Sequence, residues 1–243
     1  MDPAPRRSFV DLHCHSSSSF DSLSKPADLV RNAKRFGLTH LAITDHERID
    51  GAQRARDLAP DDVSVIVGEE VRTTGGDLLG LFLEQAVPPG MSPAETAAAI
   101  HEQGGLVGLP HPFDRFRSSG GDMAADDALG ELAAAIDFVE VHNARAVGRA
   151  NERAALFARE HGLPGVAASD AHSLMEVGVA YSVLRRGFSS AAELRDLLAD
   201  ADLVMGRGSY FLRAWTPVAK LVQRMRGNER VRPIAPAGGA ARP

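Results

Sequence analysis

One cysteine in 243 residues, Cys14, excludes any disulfide within the chain. Aromatic side chains make up only 5% of the residues, too few to line a groove on which single-stranded bases stack in succession. No run of eighteen apolar residues occurs, so no membrane-spanning helix and no membrane partner is expected. The opening residues, MDPAPRRSF, lack the apolar core of a signal peptide, and a cytoplasmic location is expected. Basic charge is scarce along most of the chain: residues 1–205 hold 19 basic and 31 acidic side chains. Residues 206–243 reverse the balance, with eight basic and one acidic, which reads as a solvated or docked tail before a phosphate-binding one. What remains is the composition of a globular protein, 44% hydrophobic and 24% charged, long enough to bury a sizeable core.

Short apolar runs alternate with longer helical stretches. Strands are expected at "FVDL" (9–12), "HLAIT" (40–44), "VSVIVG" (63–68), "LLGLFL" (78–83), "LVGLP" (106–110), "FVEVH" (138–142), "GVAAS" (165–169) and "AYSVL" (180–184). Helices are expected at 26–36, 50–58, 92–103, 124–135, 148–161 and 189–200. Ser92-Pro93 reads as a helix cap with proline in the first turn, and Gly104-Gly105 and Gly162 read as stops. This alternation, with near-continuous apolar strands, predicts a parallel sheet or barrel. The basic segment carries a second amphipathic helix around 217–226 and is expected to cover a barrel face, with Lys220, Arg224 and Arg226 on it. Residues 233–243, rich in Pro, Gly and Ala, have the composition of a disordered tail.

Six of the nine histidines fall at or just past the C-terminal end of an expected strand. His13 and His15 follow "FVDL", His46 closes "AITDH", His111 follows "LVGLP", His142 ends "FVEVH" and His172 follows "VAASD". Asp11, Asp21, Asp45, Glu69, Glu70, Asp77, Glu140 and Asp170 accompany them. Parallel-strand barrels gather their chemistry at this rim. Neutral imidazole with carboxylate suits zinc, manganese or iron, and two such ions held together clamp both oxygens of a phosphoryl transfer. An isolated H-x-H is a weak signal; the joint placement on five strands carries the case. His40, His101 and His161 lie elsewhere and read as structural or solvent-facing.

In their order, "DLHCHS", "AITDHERIDG", "VGEEV", "GLPHPF", "VEVHNAR" and "ASDAH" resemble the PHP domain, named for polymerases and histidinol phosphatase. The likeness runs over about residues 9–184. It implies an α/β fold, a distorted (β/α)7 TIM-like barrel over residues 1–205, followed by a short helical extension over 206–232. It further implies two or three divalent metal ions (Mn, Fe or Zn). One would be held by His13, His15, Glu70 and Asp170. A second would share Glu70 and be completed by His111 and His142, and a third would take His46, His172 and Asp21. Cys14, between two ligands, should point the opposite way into the barrel wall. The chain departs from the family where Asp77 stands in place of a common histidine, and in the shortness of the insert before "PHP".

These residues lead to hydrolysis of a phosphomonoester of a nucleotide or small metabolite by a metal-activated water. Phosphate oxygens call for guanidinium forks, and Arg145, Arg115 and Arg117 are the candidates, Arg145 first. Asp77 or His172 would protonate the leaving oxygen. Two other classes stay open: a nuclease-type phosphodiesterase acting on nucleic-acid ends, less favoured given the few aromatics, and a non-catalytic metal-binding module. Nothing in the sequence specifies an oligomeric state.

Overall fold

Strands whose apolar residues face both ways need cover on both sides, and here the two faces bury into two separate clusters. The computed structural model describes residues 7–114 and 132–231. Among them, nine strands form one sheet: β1 Ser8–Asp11, β2 His40–Ile43, β3 Ser64–Thr73, β4 Gly76–Leu81, β5 Leu106–Leu109, β6 Phe138–Asn143, β7 Gly165–Ala168, β8 Ala180–Leu184 and β9 Asp202–Met205. Their spatial order is β7-β6-β5-β4-β3-β2-β1-β8-β9. Pairs β1–β2, β2–β3, β5–β6 and β6–β7 are parallel, whereas β4 is antiparallel to both neighbours and β8 is antiparallel to β1. Seven strands, β9 among them through its antiparallel pairing with β8, thus point their C-terminal ends to one rim, and the reversed β4 brings its first residues there.

The sheet nearly closes on itself. Ser182 on β8 accepts from Ala167 N–H of β7 at 3.0 Å, and its hydroxyl lies 3.3 Å from the Ala167 carbonyl. At the rim a parallel bridge joins Cys14 to Ala171, with His15 N–H donating to the Ala171 carbonyl at 2.8 Å. Cys14 is fully buried in the outer apolar layer, as expected. The α/β barrel expected from the sequence is the fold observed, and its distortion lies in the reversed strands.

The helices are α1 Pro26–Arg35, α2 Asp50–Asp57, α3 Pro93–Glu102, α4 Ala150–Glu160, α5 Ala191–Leu198, α6 Tyr210–Arg213 and α7 Trp215–Met225. Ser92 accepts from Glu95 N–H while the Glu95 carboxylate accepts from Ser92 N–H at 2.9 Å, a reciprocal cap that starts α3 where the sequence placed it. Gly104 and Gly162, both at positive φ, follow α3 and α4 as helix stops. One apolar cluster joins Leu29 and Val30 of α1, Ala52 of α2, Ile100 of α3 and Phe157 of α4 to Leu41, Ile43, Val107 and Val139. The other joins Val10, Ala42, Ile66, Leu79, Leu106 and Phe138 to Leu194, Leu197 and Leu198 of α5. None of the described helices is long and apolar enough to cross a membrane.

Gly108 and Phe138 show how tightly the second cluster is packed. A Cβ on Gly108 would stand 2.3 Å from the Phe138 ring. Gly108→Ala is expected to destabilise the chain by about 1–3 kcal/mol through overpacking, lowering the thermal midpoint by ~2–10 °C; calorimetry checks this, and an unchanged midpoint would refute the packing argument.

β9 was not anticipated: its four residues carry no apolar alternation, and only pairing with β8 makes them a strand. The helix expected at 124–135 falls almost wholly outside the described residues, as do Arg115, Arg117 and the tail at 233–243.

Candidate metal centre

The C-terminal rim collects imidazoles and carboxylates from the ends of six strands. The His13 ring turns inward from the end of β1, with Nδ1 2.6 Å from Glu140 Oε1 on β6. That pairing assigns the Nδ1–H tautomer and leaves Nε2 as a lone-pair donor facing the cluster. His13 Nε2 stands 3.0 Å from His15 Nε2, and both lie 3.3 Å from Glu70 Oε2. Asp170 Oδ1 is 3.5 Å from His15 Nε2 and 3.7 Å from His13 Nε2. His46 Nδ1 approaches Glu70 Oε2 at 3.4 Å, and His111 Nε2 approaches Glu70 Oε1 at 3.3 Å. On the other side, Asp21 Oδ2 lies 3.2 Å from His172 Nε2 and 3.3 Å from His46 Nε2. The Asp170 carbonyl lies 2.9 Å from His172 Nδ1 and takes its proton, freeing Nε2.

The donors fall into overlapping sets able to grip a cation: His15, Asp21, His46 and His172; His13, His15 and Glu70; His13, His111 and Asp170; and His46, Glu70 and Asp77. With metal–ligand bonds of about 2.0–2.2 Å, neighbouring donors in one shell stand roughly 2.8–3.6 Å apart, close to the separations seen here. His15 Nδ1 is buried with no hydrogen-bond partner among the described residues. The donor chemistry therefore fits divalent transition ions, for which His and carboxylate are the common ligands.

The electrostatics agree. Burial alone would raise the carboxyls of Asp21 and Glu70, but the facing histidines hold both well below their ordinary range, so both stay ionised. His13 shows the complement: burial pulls its pKa down, yet Glu140 and Glu70 outweigh that and raise it to about 10. A buried pocket that draws a proton this strongly is one that calls for cations. His172 goes the other way, held neutral by burial and by the Arg145 charge beside it, as a ligand imidazole must be.

The backbone at the rim is bent to aim these side chains. His111 and Asp170 adopt positive φ, 29° and 51°, a conformation non-glycine residues hold only when their surroundings impose it. Behind the donors stands a second row of carboxylates. Glu140 orients His13, accepts from His111 N–H at 3.0 Å and takes one N–H of Asn143, whose amide also reaches Asp170. Asp45 accepts from Ser16 N–H at 2.6 Å, and Asp11 from Ser169 N–H at 3.0 Å. Glu69 faces away from Glu70: burial pushes its carboxyl up to about 8, and it accepts from Val87 N–H at 2.7 Å. Glu140→Gln keeps the shape but loses the charge that orients His13, and is expected to weaken metal binding about 10–100-fold; a metal titration of the folded variant measures this.

Two expectations need correction. His142 does not join the cluster: its Nε2 is 2.7 Å from the Gly206 carbonyl and its Nδ1 3.2 Å from Asn151 Nδ2, so both ring nitrogens are committed. The cause is a register shift in β6 between Glu140 and His142, which breaks the alternation that would have put both on one face. Arg145 is no exposed phosphate fork: it is buried, with Nη1 on the Glu176 carboxylate at 3.0 and 3.2 Å and Nη2 on the Thr216 hydroxyl at 2.7 Å. A buried carboxylate such as Glu176 needs a charged partner, and Arg145 supplies it. Asp77 sits at the rim because β4 runs backwards, 3.1 Å from Arg230. Arg230, Gln223 and Asn143 were not among the expected site residues, and Asn143, three residues beyond Glu140 in "VEVHN", was the one with a local signal.

A family model described as "PHP domain" matches residues 11–119, and one described as "PHP-associated" matches 148–202. An uncharacterized protein of Methanocaldococcus jannaschii is 38% identical over 146 residues, covering 56% of this chain and 81% of that protein. The error-prone DNA polymerase of Mycobacterium bovis is 30% identical over 257 residues; the match covers 87% of this chain but only 24% of the polymerase. A two-domain protein of Bacteroides vulgatus containing a predicted PHP-like metal-dependent phosphoesterase superposes with a TM-score of 0.66 at 18% identity, over 83% of this chain and 66% of that one. That last likeness is one of fold.

Proposed function

The chain belongs to the PHP family, and on that premise we propose that it is a metal-dependent phosphoesterase that hydrolyses a phosphomonoester of a nucleotide or small metabolite. The observation that carries the reading is the convergence of five imidazoles on three ionisable carboxylates, Glu70 at the centre, at separations of 3.2–3.7 Å. Two or three divalent ions (Mn, Fe or Zn) held there supply positive charge for the phosphoryl oxygens and bring the pKa of a water near 7.

The chain's own residues do the rest. His15, Asp21, His46 and His172 form one donor set, His13, His15 and Glu70 a second, His13, His111 and Asp170 a third, and His46, Glu70 and Asp77 a fourth. Glu140 and the Asp170 carbonyl fix the tautomers of His13 and His172, so each presents a lone pair without rearrangement. Asp77, at the rim beside Arg230, is the candidate to give a proton to the leaving oxygen; His172, neutral and turned to the cluster through Nε2, is a ligand rather than an acid. Arg115 and Arg117 remain phosphate-contact candidates from the sequence alone.

The test is phosphate release from nucleoside monophosphates and sugar phosphates, with Mn, Zn or Fe(II) restored to chelator-treated protein, run beside a 5′-phosphorylated oligonucleotide and a phosphodiester. Release from small monoesters supports the reading. Shortening of the oligonucleotide alone would replace it with the nuclease reading. Metal uptake with no turnover on any ester would leave a binding module.

A further inference from the structure

The loop that carries Asp21 is polar except for Phe20, so little of it can be held by apolar burial. It runs from Ser16 to Ser22 without helix or strand. Its carbonyls are turned inward, and buried carbonyls need donors. Three of them, of Ser17, Ser19 and Ser22, converge on a single atom, Gln223 Nε2, at 2.8, 2.9 and 2.6 Å. Gln223 lies on α7, some 200 residues further along, and is only 2% exposed. Asn228, just beyond α7, donates to Ser18 and Ser19 carbonyls at 3.0 and 3.3 Å. The loop so held ends on Asp21, whose Oδ2 faces His172 and His46 and whose Oδ1 accepts from Ser19 Oγ at 2.7 Å. The same C-terminal segment grips the other flank of His46, where Arg230 reaches Glu47 at 2.8 Å and Asp77 at 3.1 Å.

We propose that the C-terminal segment is a positioning element of the metal centre: Gln223, clamped on the serine loop, sets Asp21 against His46 and His172. It thereby sets the metal affinity of the donor set that contains Asp21, and reaches the His13–His15–Glu70 set only through the shared His15. That second set is oriented from inside the barrel, by Glu140 on β6. The inference rests on the reading that the cluster binds metal, but not on which ester is hydrolysed. Gln223 touches no reacting atom; it acts through Asp21.

The test is a Mn2+ titration of the full chain after chelator treatment, following free Mn2+ by electron paramagnetic resonance, with thermal melts to confirm folding. Gln223→Met keeps the volume and removes the donor; Leu221→Ala, on the exposed face of the same helix, is the control. In Gln223→Met one class of Mn2+ sites is expected to weaken about 10–100-fold, the others staying within twofold and Leu221→Ala titrating like the parent. Wild-type titration by Gln223→Met, or an equal weakening of every class, would overturn the proposal. So would loss of the fold in Gln223→Met, which would make Gln223 a core residue only. A parent chain that takes up no Mn2+ would bring down the metal reading itself, a result distinct from any failure in the ester screen.

Discussion

Glu70→Ala is expected to strip the chain of most of its bound transition metal and to lower phosphoester hydrolysis by at least ~1,000-fold, about 4 kcal/mol of barrier. The Glu70 carboxylate faces four imidazoles. Its Oε2 lies within 3.4 Å of His13, His15 and His46, and its Oε1 lies 3.3 Å from His111. It sits in two of the overlapping donor sets, so its loss opens both. The fold should survive, because β3 is held by main-chain pairing to β2 and β4 rather than by this side chain. Glu70→Gln, which keeps the shape and removes the charge, should lose nearly as much, since an amide cannot offset a divalent ion. Plasma mass spectrometry of the folded variants beside a phosphate-release assay gives the answer. Two or more equivalents retained in Glu70→Ala would refute the central role of this residue.

Chelator treatment of the parent chain is expected to lower its thermal midpoint by ~10 °C or more, reversibly. An ion at a thousandfold excess over its dissociation constant adds about 4 kcal/mol to stability, and in a chain of this size each kcal/mol is worth roughly 2–4 °C. Two such sites easily exceed the threshold. The physical source is the crowding of the Asp21, Glu70 and Asp170 carboxyl groups in a buried rim, the first two held ionised, where opposing cations lower the free energy of the folded state and chelation leaves like charges facing one another. Calorimetry with and without chelator, followed by stepwise return of Mn2+ or Zn2+, measures it. A midpoint unmoved by chelator in a chain shown to have carried metal would mean that the rim is preformed by hydrogen bonds such as Glu140–His13 alone.

Much of this protein can be read from short stretches of its sequence. Apolar runs at the expected strands, the Ser92-Pro93 start and the Gly104 and Gly162 stops are local signals, and local backbone preference with burial was enough to realise them. So was the placement of His13, His15, His46, His111 and His172, because a residue just past a parallel strand must lie at the rim whatever its partners are. His142 followed the same rule and was misplaced, since a one-residue bulge at Glu140 reverses which face a side chain takes and leaves no trace in the pattern. Arg145 was read as a phosphate fork because its position was right; its partner Glu176, 31 residues away, could not be seen. The hold of Gln223 on the carbonyls of Ser17, Ser19 and Ser22 spans some 200 residues and involves main-chain atoms, which have no residue identity to read. The sequence by itself determined the alternation, the barrel class and the rim chemistry, because these follow from period and polarity along a few residues. Tertiary structure alone decided which rim side chains face one another and what holds their loops, because those depend on register and on contacts between segments far apart in the chain.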